Sequence, residues 1–307
     1  MKRILLATEK PFAPIAVDGI REIFSKAGYE LVLLEKYPSK DAFIQAVGGV
    51  DGLIVRSDQV DADIVAAAKQ LKIVVRAGAG YDNIDLKACS ARNIVVMNTP
   101  GQNSNAVAEL VMGIMVYLAR NGFNGTSGIE LRGKKLGIHG YGHVGRIVGM
   151  IGKGFGMKVF AHDPFVDPIM VANDGVQYES DVHDLYRKCQ FVSLHLPLTN
   201  ETRESVTSEF LLLMPEGAML INTARKEIIH EPSLLEMFEK RADFRYGSDI
   251  IPDTAETIAR NYPGRYFFTP KKMGAQTFEA NMNAGLAAAR QIVAFFEKGD
   301  ITFKVNK

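Results

Sequence analysis

The chain has 307 residues, enough for two domains that each bury a core of their own rather than one oversized domain. Hydrophobic residues make up 47% and charged residues 23%, with a formal net charge of +1, so no broad field points to nucleic acid or an anionic membrane, and the expected partner is a small molecule. The cysteines, Cys89 and Cys189, stand far apart with no metal-ligand spacing around them, which argues against a disulfide framework or a metal site and fits a reducing, cytoplasmic compartment.

From the N-terminus, Lys2 and Arg3 precede an apolar run too short for a signal segment, so Ile4–Ala7 reads as a first strand and no export is implied. Further β-rich runs at Glu30–Leu34, Gly52–Arg56 and Ile73–Arg76 alternate with amphipathic segments, the signature of βαβ units and a parallel sheet. A fifth run, Ile94–Met97, ends in Asn98-Thr99-Pro100-Gly101, where Pro and Gly stop the element and mark a domain boundary. Ser104 is the expected N-cap of a helix over Asn105–Arg120. Its apolar stretch Leu110–Ala119 is about half the length needed to span a bilayer, so it predicts a buried helix. A polar, glycine-rich connection, Asn121–Gly128, follows.

A second alternating series has strands near Lys135–His139, Met157–His162, Phe191–Leu194, Ala218–Asn222, Phe244–Ser248 and Tyr266–Phe268. The chain closes with an alanine-rich periodic helix over Phe278–Lys298 (Met282, Leu286, Ala289, Val293, Phe296); the pattern alone does not say which domain it covers. The expected fold is α/β, with two doubly wound, Rossmann-like parallel sheets.

Gly140-Tyr-Gly142-His-Val-Gly145 matches G-x-G-x-x-G in the context that gives the pattern meaning: a strand before it and a helix opening after it. The first glycine makes the turn, the second admits the backbone to a pyrophosphate, the third lets helix and strand pack, and free N–H groups at the helix start receive the anion. Val144 shares that turn, and His143 stands near the pyrophosphate. The following strand ends at His162-Asp163, about twenty residues on, where a carboxylate accepts hydrogen bonds from both ribose hydroxyls and selects NAD over NADP. His139 and His143 are four apart but on different elements, so a metal role is not expected.

Arg76-Ala-Gly78-Ala-Gly-Tyr-Asp-Asn-Ile-Asp85, Asn98-Thr-Pro-Gly-Gln-Asn103, Gly140 to Gly145, His195-Leu196-Pro197-Leu198, Met214-Pro, Ile221-Asn-Thr223-Ala224-Arg225 and Thr269-Pro270 with Gly274-Ala275 follow the order seen in D-2-hydroxyacid dehydrogenases. The chain resembles that family from about residue 50 to 280. Within it, Arg56-Ser57, Arg76 and Asn98 to Asn103 are similar to the phosphoglycerate dehydrogenases, in which such positions hold a phosphorylated substrate. The resemblance implies that residues 1–99 and 277–307 form the substrate domain, residues 100–276 the NAD domain, and the cleft between them the active site. It also implies cofactor contacts from His195, Leu196, Pro197, Thr223, Ala224, Gly274 and Ala275, with Asp249 on the nicotinamide side, and substrate contacts from Arg56, Ser57, Arg76, Gly78, Asn103 and Arg225. A homodimer built around the helix at 105–120 is a further implication. The chain ends at Lys307, soon after the closing helix, as in the short forms without a C-terminal regulatory domain.

Oxidation at C2 of a 2-hydroxy acid needs a carboxylate clamp, polarisation of the C2 oxygen and a base for the hydroxyl proton. Arg225 resembles the family's catalytic arginine, and its planar fork suits a carboxylate. The family's usual histidine before Gly-Ala and its partner glutamate are missing. Lys272 falls at the histidine position, and Asp253, Thr254 and Glu256 lie near the glutamate position without one being singled out. A lysine starts near 10.4 and must be lowered to act as a base, which a glutamate would oppose; the paired loss is thus self-consistent and resembles the lysine-bearing short phosphoglycerate dehydrogenases. The implied activity is NAD-dependent oxidation of 3-phospho-D-glycerate to 3-phosphohydroxypyruvate, the first step toward serine. The alternatives are a dehydrogenase for another D-2-hydroxy acid, such as glycerate or lactate, and an NADH-sensing co-regulator, which the retained Arg56, Arg76 and Arg225 disfavour.

Overall fold

Strand segments that are apolar at every position, rather than at alternate ones, need cover on both faces of their sheet. Gly52–Val55 is such a segment, Phe191–Leu194 and Met219–Asn222 depart from it only at Ser193 and Asn222, and each is buried along its whole length. The computed structural model describes residues 1–307 and divides them into two units, Met1–Asn103 with Gln276–Lys307, and Ser104–Ala275.

The first unit holds β1 (Arg3–Thr8), β2 (Glu30–Glu35), β3 (Gly52–Val55), β4 (Ile73–Arg76) and β5 (Val95–Asn98). They form one parallel sheet in the order β2-β1-β3-β4-β5. The order reverses between β1 and β3, so the loops after those strands open at the place where doubly wound sheets take ligands. Helices Pro14–Lys26 and Phe278–Lys298 cover one face, with Ile20, Phe24, Ala284, Ala288 and Ile292 in its core. The small residues of the closing helix allow that approach: a Cβ on Gly285 would stand 3.0 Å from Ile20 and 3.1 Å from Phe12. Tertiary packing thus answers which sheet the closing helix covers. Phe43, Val47, Ile64, Val65 and Cys89 fill the other face.

The second unit holds β6 (Lys135–His139), β7 (Lys158–His162), β8 (Gln177–Tyr178), β9 (Phe191–Leu194), β10 (Met219–Asn222), β11 (Arg245–Ser248) and β12 (Tyr266–Phe268). The sheet runs β12-β11-β10-β9-β6-β7-β8, all parallel. This is the dinucleotide-binding strand order with one more strand at the far edge, and its reversal lies between β6 and β9. The edge strand β8 has no counterpart in the sequence reading, because two residues are too few to show a period. The helix expected from Asn105 starts at Ser104 itself and ends at Ala119. It buries Val111, Met112, Ile114, Met115 and Leu118, and β11 accepts it closely because a side chain on Gly247 would collide with Ile114. No helix is long and apolar enough to cross a membrane.

Candidate cofactor and active site

The glycine fingerprint sits at the strand-order reversal of the second unit. Gly140 has φ +95°, and a Cβ there would meet the His195 carbonyl oxygen at 2.8 Å. Gly145 lies against the Gly140 carbonyl, where a side chain would collide. Gly142 differs from both: a Cβ on it would meet nothing within 4 Å. It is the cap of helix His143–Gly154 and makes no side-chain capping bond, so the helix start faces open space with its amides unclaimed by a cap, as an anion cradle requires. His143 and Val144 are the first helical residues, His143 exposed and Val144 half-buried. Beside this turn, Asp163 accepts from the Tyr141 N–H at 2.8 Å through one oxygen and the Phe165 N–H at 2.9 Å through the other. Its carboxylate is oriented by the fingerprint itself and retains lone pairs for a ribose.

After β9, the His195 N–H donates to the His139 carbonyl at 2.8 Å, and its Nε2 lies 2.8 Å from the Ser193 hydroxyl. Burial pushes the His195 pKa down to about 3. His139 is buried and is likewise pushed down to about 3, by burial first and then by the proximity of His162 and His195; its Nδ1 lies 3.1 Å from the Tyr186 hydroxyl. Both rings are therefore neutral. Leu196 packs on the core below the fingerprint, while Pro197 is exposed and its carbonyl accepts from Thr202.

After β10 the chain turns sharply at Asn222-Thr-Ala-Arg225. Asn222 is fully buried; its Oδ1 accepts from the Ala224 N–H at 3.0 Å and its Nδ2 donates to the Arg225 carbonyl at 2.9 Å. The Thr223 hydroxyl is buried with no protein partner. The Ala224 carbonyl receives Arg225 Nη1 at 2.9 Å and Lys272 Nζ at 3.4 Å. Two cationic side chains from distant segments thus meet at one oxygen.

The strand-end Asp249 has no exposed surface. Its Oδ1 accepts from the Thr269 hydroxyl at 3.0 Å and the Met273 N–H at 2.7 Å, and its Oδ2 accepts from the Gly274 N–H at 2.7 Å. Gly274 suits that approach, since a Cβ on it would stand 3.0 Å from the carboxylate; Ala275 follows, half-buried. Of the residues near the missing glutamate, Asp253 pairs with Lys226, Glu256 is exposed in the first turn of helix Ala255–Asn261, and the Thr254 hydroxyl is buried without a partner. Glu231 holds this segment by accepting the Asp253 and Thr254 N–H groups at 2.8 and 2.7 Å.

In the first unit, Arg56 follows β3 at the β1–β3 reversal and Arg76 ends β4, the neighbouring strand. Arg56 donates through Nη1 to the Lys10 carbonyl at 2.9 Å and the Pro11 carbonyl at 3.3 Å, and through Nη2 to Asn281, with its guanidinium 5.0 Å from the Phe12 ring centre. Much of its donor capacity is therefore taken by its own unit. Arg76 donates through Nε to the Arg56 carbonyl at 2.9 Å, and its guanidinium lies over Gly78, where any side chain would collide and where φ is +152°. The Gly78 loop is pinned by Asn98 Nδ2 on the Ala79 carbonyl at 2.6 Å and by the Thr99 N–H on the Gly78 carbonyl at 2.9 Å. Ser57 is exposed and Asn103 half-buried.

Residues 111–263 match the model of the D-isomer specific 2-hydroxyacid dehydrogenase, NAD binding domain. A hydroxypyruvate reductase from Thermotoga maritima is 35% identical over 280 residues, covering 86% of this chain and 90% of that protein. The chain belongs to the D-2-hydroxyacid dehydrogenase family. A D-3-phosphoglycerate dehydrogenase from Methanocaldococcus jannaschii is 34% identical over 273 residues, 83% of this dehydrogenase and 51% of the relative; the chain spans about half the length of such relatives. Among solved structures, the NAD+-bound 3-phosphoglycerate dehydrogenase of Entamoeba histolytica is 48% identical, with a TM-score of 0.89 and coverage of 100% of this chain and 99% of that one. NAD is the cofactor of this dehydrogenase, and the open cradle at Gly142, the oriented Asp163 carboxylate and the unpartnered Thr223 hydroxyl are features of the second unit that fit it.

Two residues that organise the loops of these candidate positions, one in each unit, carry no role in the sequence reading. Asn222 lies inside a motif whose sequence reading assigns roles to Thr223, Ala224 and Arg225 but not to the asparagine, although an Asn whose side chain turns back onto the backbone two residues on is a recognisable turn signal. Asp58 is buried in the first unit and accepts from the Glu9 N–H and Tyr37 hydroxyl at 2.7 and 2.8 Å and from the Arg56 N–H at 3.3 Å. No local pattern announces it, because Glu9 and Tyr37 come from separate loops.

Proposed function

We propose that the chain oxidises 3-phospho-D-glycerate to 3-phosphohydroxypyruvate with NAD, the step that opens the route to serine. The observation that carries this reading is the meeting of Arg225 and Lys272 at the Ala224 carbonyl, in a chain 48% identical over its length to a phosphoglycerate dehydrogenase. Gly140, Gly142, Gly145 and the amides of His143 and Val144 would hold the pyrophosphate, Asp163 the ribose hydroxyls, and His195, Leu196, Pro197, Thr223, Ala224, Gly274 and Ala275 the remaining cofactor surface. Asp163 repels a 2′-phosphate, which favours NAD over NADP. NAD, when bound, supplies the acceptor for the hydride leaving C2. Arg225 clamps the substrate carboxylate and polarises the C2 oxygen. Lys272, as the neutral amine, takes the hydroxyl proton during oxidation and returns it during reduction.

Residues 1–99 and 277–307 are assigned to substrate binding and 100–276 to NAD. Arg76, with Gly78, Ser57 and Asn103, is assigned to the 3-phosphate, and Arg56 contributes through whichever donors its own loops leave. A cytoplasmic homodimer built around the helix at Ser104–Ala119 completes the reading. The Thermotoga maritima relative supports a second one, reduction of hydroxypyruvate, which shares every step but lacks the phosphate. Nicotinamide absorbance at 340 nm with 3-phosphoglycerate, glycerate, lactate and hydroxypyruvate separates them. A kcat/KM for phosphoglycerate at least about tenfold above glycerate is expected, and preference for the unphosphorylated pair overturns the assignment. Turnover with none of them favours a cofactor-sensing role.

A further inference from the structure

We infer that Asp249 is the positioning residue for the proton-transfer lysine: it sets where Lys272 stands by holding the backbone that follows it. The inference rests on the assignment of Lys272 as the acid/base group. Residues 270–275 belong to no helix or strand, so nothing periodic fixes their path. What fixes it is one buried carboxylate. Met273 and Gly274, the two residues after Lys272, each donate an N–H to Asp249, and Thr269, three residues before it, donates its hydroxyl to the same group. The lysine-bearing segment is thus tied on both sides of Lys272. Asp249 is itself anchored, since its N–H donates to the Asn222 carbonyl at 3.0 Å, and Asn222 is the residue whose side chain folds the Ala224–Arg225 turn. The chain of contacts runs from the turn that presents Arg225, through Asn222 and Asp249, to the loop that presents Lys272, and it closes where Lys272 Nζ reaches the Ala224 carbonyl.

Family resemblance alone places Asp249 against the nicotinamide. The geometry gives it a further role, because its buried carboxylate accepts from the loop through both oxygens. Asp249→Asn is a sharp probe. An amide has one acceptor oxygen, and its NH2 would face a donor it cannot satisfy, so at least one arm of the clamp opens with almost no change in volume. Thr269→Val removes the hydroxyl arm alone.

The test is a double-mutant cycle on kcat, with NADH affinity read separately from nicotinamide fluorescence. Asp249→Asn is expected to lower kcat about 10- to 100-fold with the NADH Kd changed less than about threefold. In a Lys272→Ala background it should lower kcat by less than about twofold further, because a positioning residue has no effect once the group it positions is gone. Thr269→Val should show the same non-additivity with a smaller loss, about three- to tenfold, and it decides the matter if Asp249→Asn does not fold. An undiminished loss in the Lys272→Ala background, or a rise in NADH Kd that tracks the loss in kcat, overturns the inference and returns Asp249 to the cofactor. A Lys272→Ala variant with near-normal kcat sinks the acid/base assignment itself, and this inference with it.

Discussion

Lys272 and Arg225 share an acceptor: Nζ of the first lies 3.4 Å, and Nη1 of the second 2.9 Å, from the carbonyl oxygen of Ala224. Lys272 and Ala224 are 48 residues apart. The roles proposed for them, a clamp for the carboxylate and a carrier for the hydroxyl proton, require two groups within one substrate's reach, and a shared acceptor is consistent with that requirement.

If Lys272 moves the proton, Lys272→Ala should lower kcat by roughly 10²- to 10⁴-fold with NAD affinity nearly intact, the range for loss of a general acid/base. Lys271→Ala should lose less than about threefold. Steady-state kinetics with NADH titrations check both, and a reversed order of damage would move the role to Lys271.

The glycines of the fingerprint should respond differently to the same added methyl. Gly142→Ala meets no protein atom within 4 Å, so its Tm should stay close to that of the parent while the NAD Kd rises at least about tenfold, because the methyl occupies pyrophosphate space. Gly145→Ala drives into the Gly140 carbonyl and should cost about 1 to 3 kcal/mol of stability. Calorimetry of folding and of NAD binding separates the two; equal NAD affinity in Gly142→Ala and the parent would remove the pyrophosphate from this cradle.

Asp163→Ala should narrow the preference for NAD over NADP by roughly tenfold, the effect of removing about 1.4 kcal/mol of repulsion from the 2′-phosphate. The ratio of kcat/KM for the two cofactors reports it. A parent protein that uses both equally contradicts the assignment before any substitution is made.

Arg76 and Arg56 should part company. Arg76→Ala is expected to raise the KM for phosphoglycerate by roughly one to two decades, as loss of a charge-assisted contact does, while changing that for glycerate much less. Arg56→Ala should instead lower stability by about 1.5 to 3 kcal/mol, since its guanidinium holds the Lys10, Pro11 and Asn281 acceptors. Denaturant midpoints measured beside the kinetics distinguish the effects, and equal losses on both substrates in Arg76→Ala would make Arg76 structural as well.

Acid should unfold the protein partly through two histidines. His139 and His195 titrate near 3 when folded against an ordinary 6.5, so below pH 6.5 the unfolded chain binds the additional protons. The stability they contribute is complete above 6.5 and lost as pH falls toward 3. At pH 5.5 each should have cost about 1.4 kcal/mol. Urea midpoints at pH 7.5 and 5.5 should therefore draw together in His139→Gln; an unchanged pH dependence in that variant would contradict the assignment.

What the sequence by itself determined was whatever local geometry constrains. A fingerprint glycine is legible because a positive φ at 140 and a backbone contact at 145 forbid a side chain whatever surrounds them, and Asp163 is legible because one βαβ unit places it at a fixed distance along the chain. The strands were legible for the same reason, except β8, too short to carry a pattern. Tertiary structure decided the rest. The resemblance could name Asp249, but its carboxylate is bonded to residues 20 to 25 positions away, and Arg56 is bonded to Asn281, 225 positions away. Such partners are chosen by strand order and by which loops it brings side by side. A buried carboxylate or guanidinium must find hydrogen-bond partners, but no spacing along the chain says which ones, and only the assembled sheet edge supplies them.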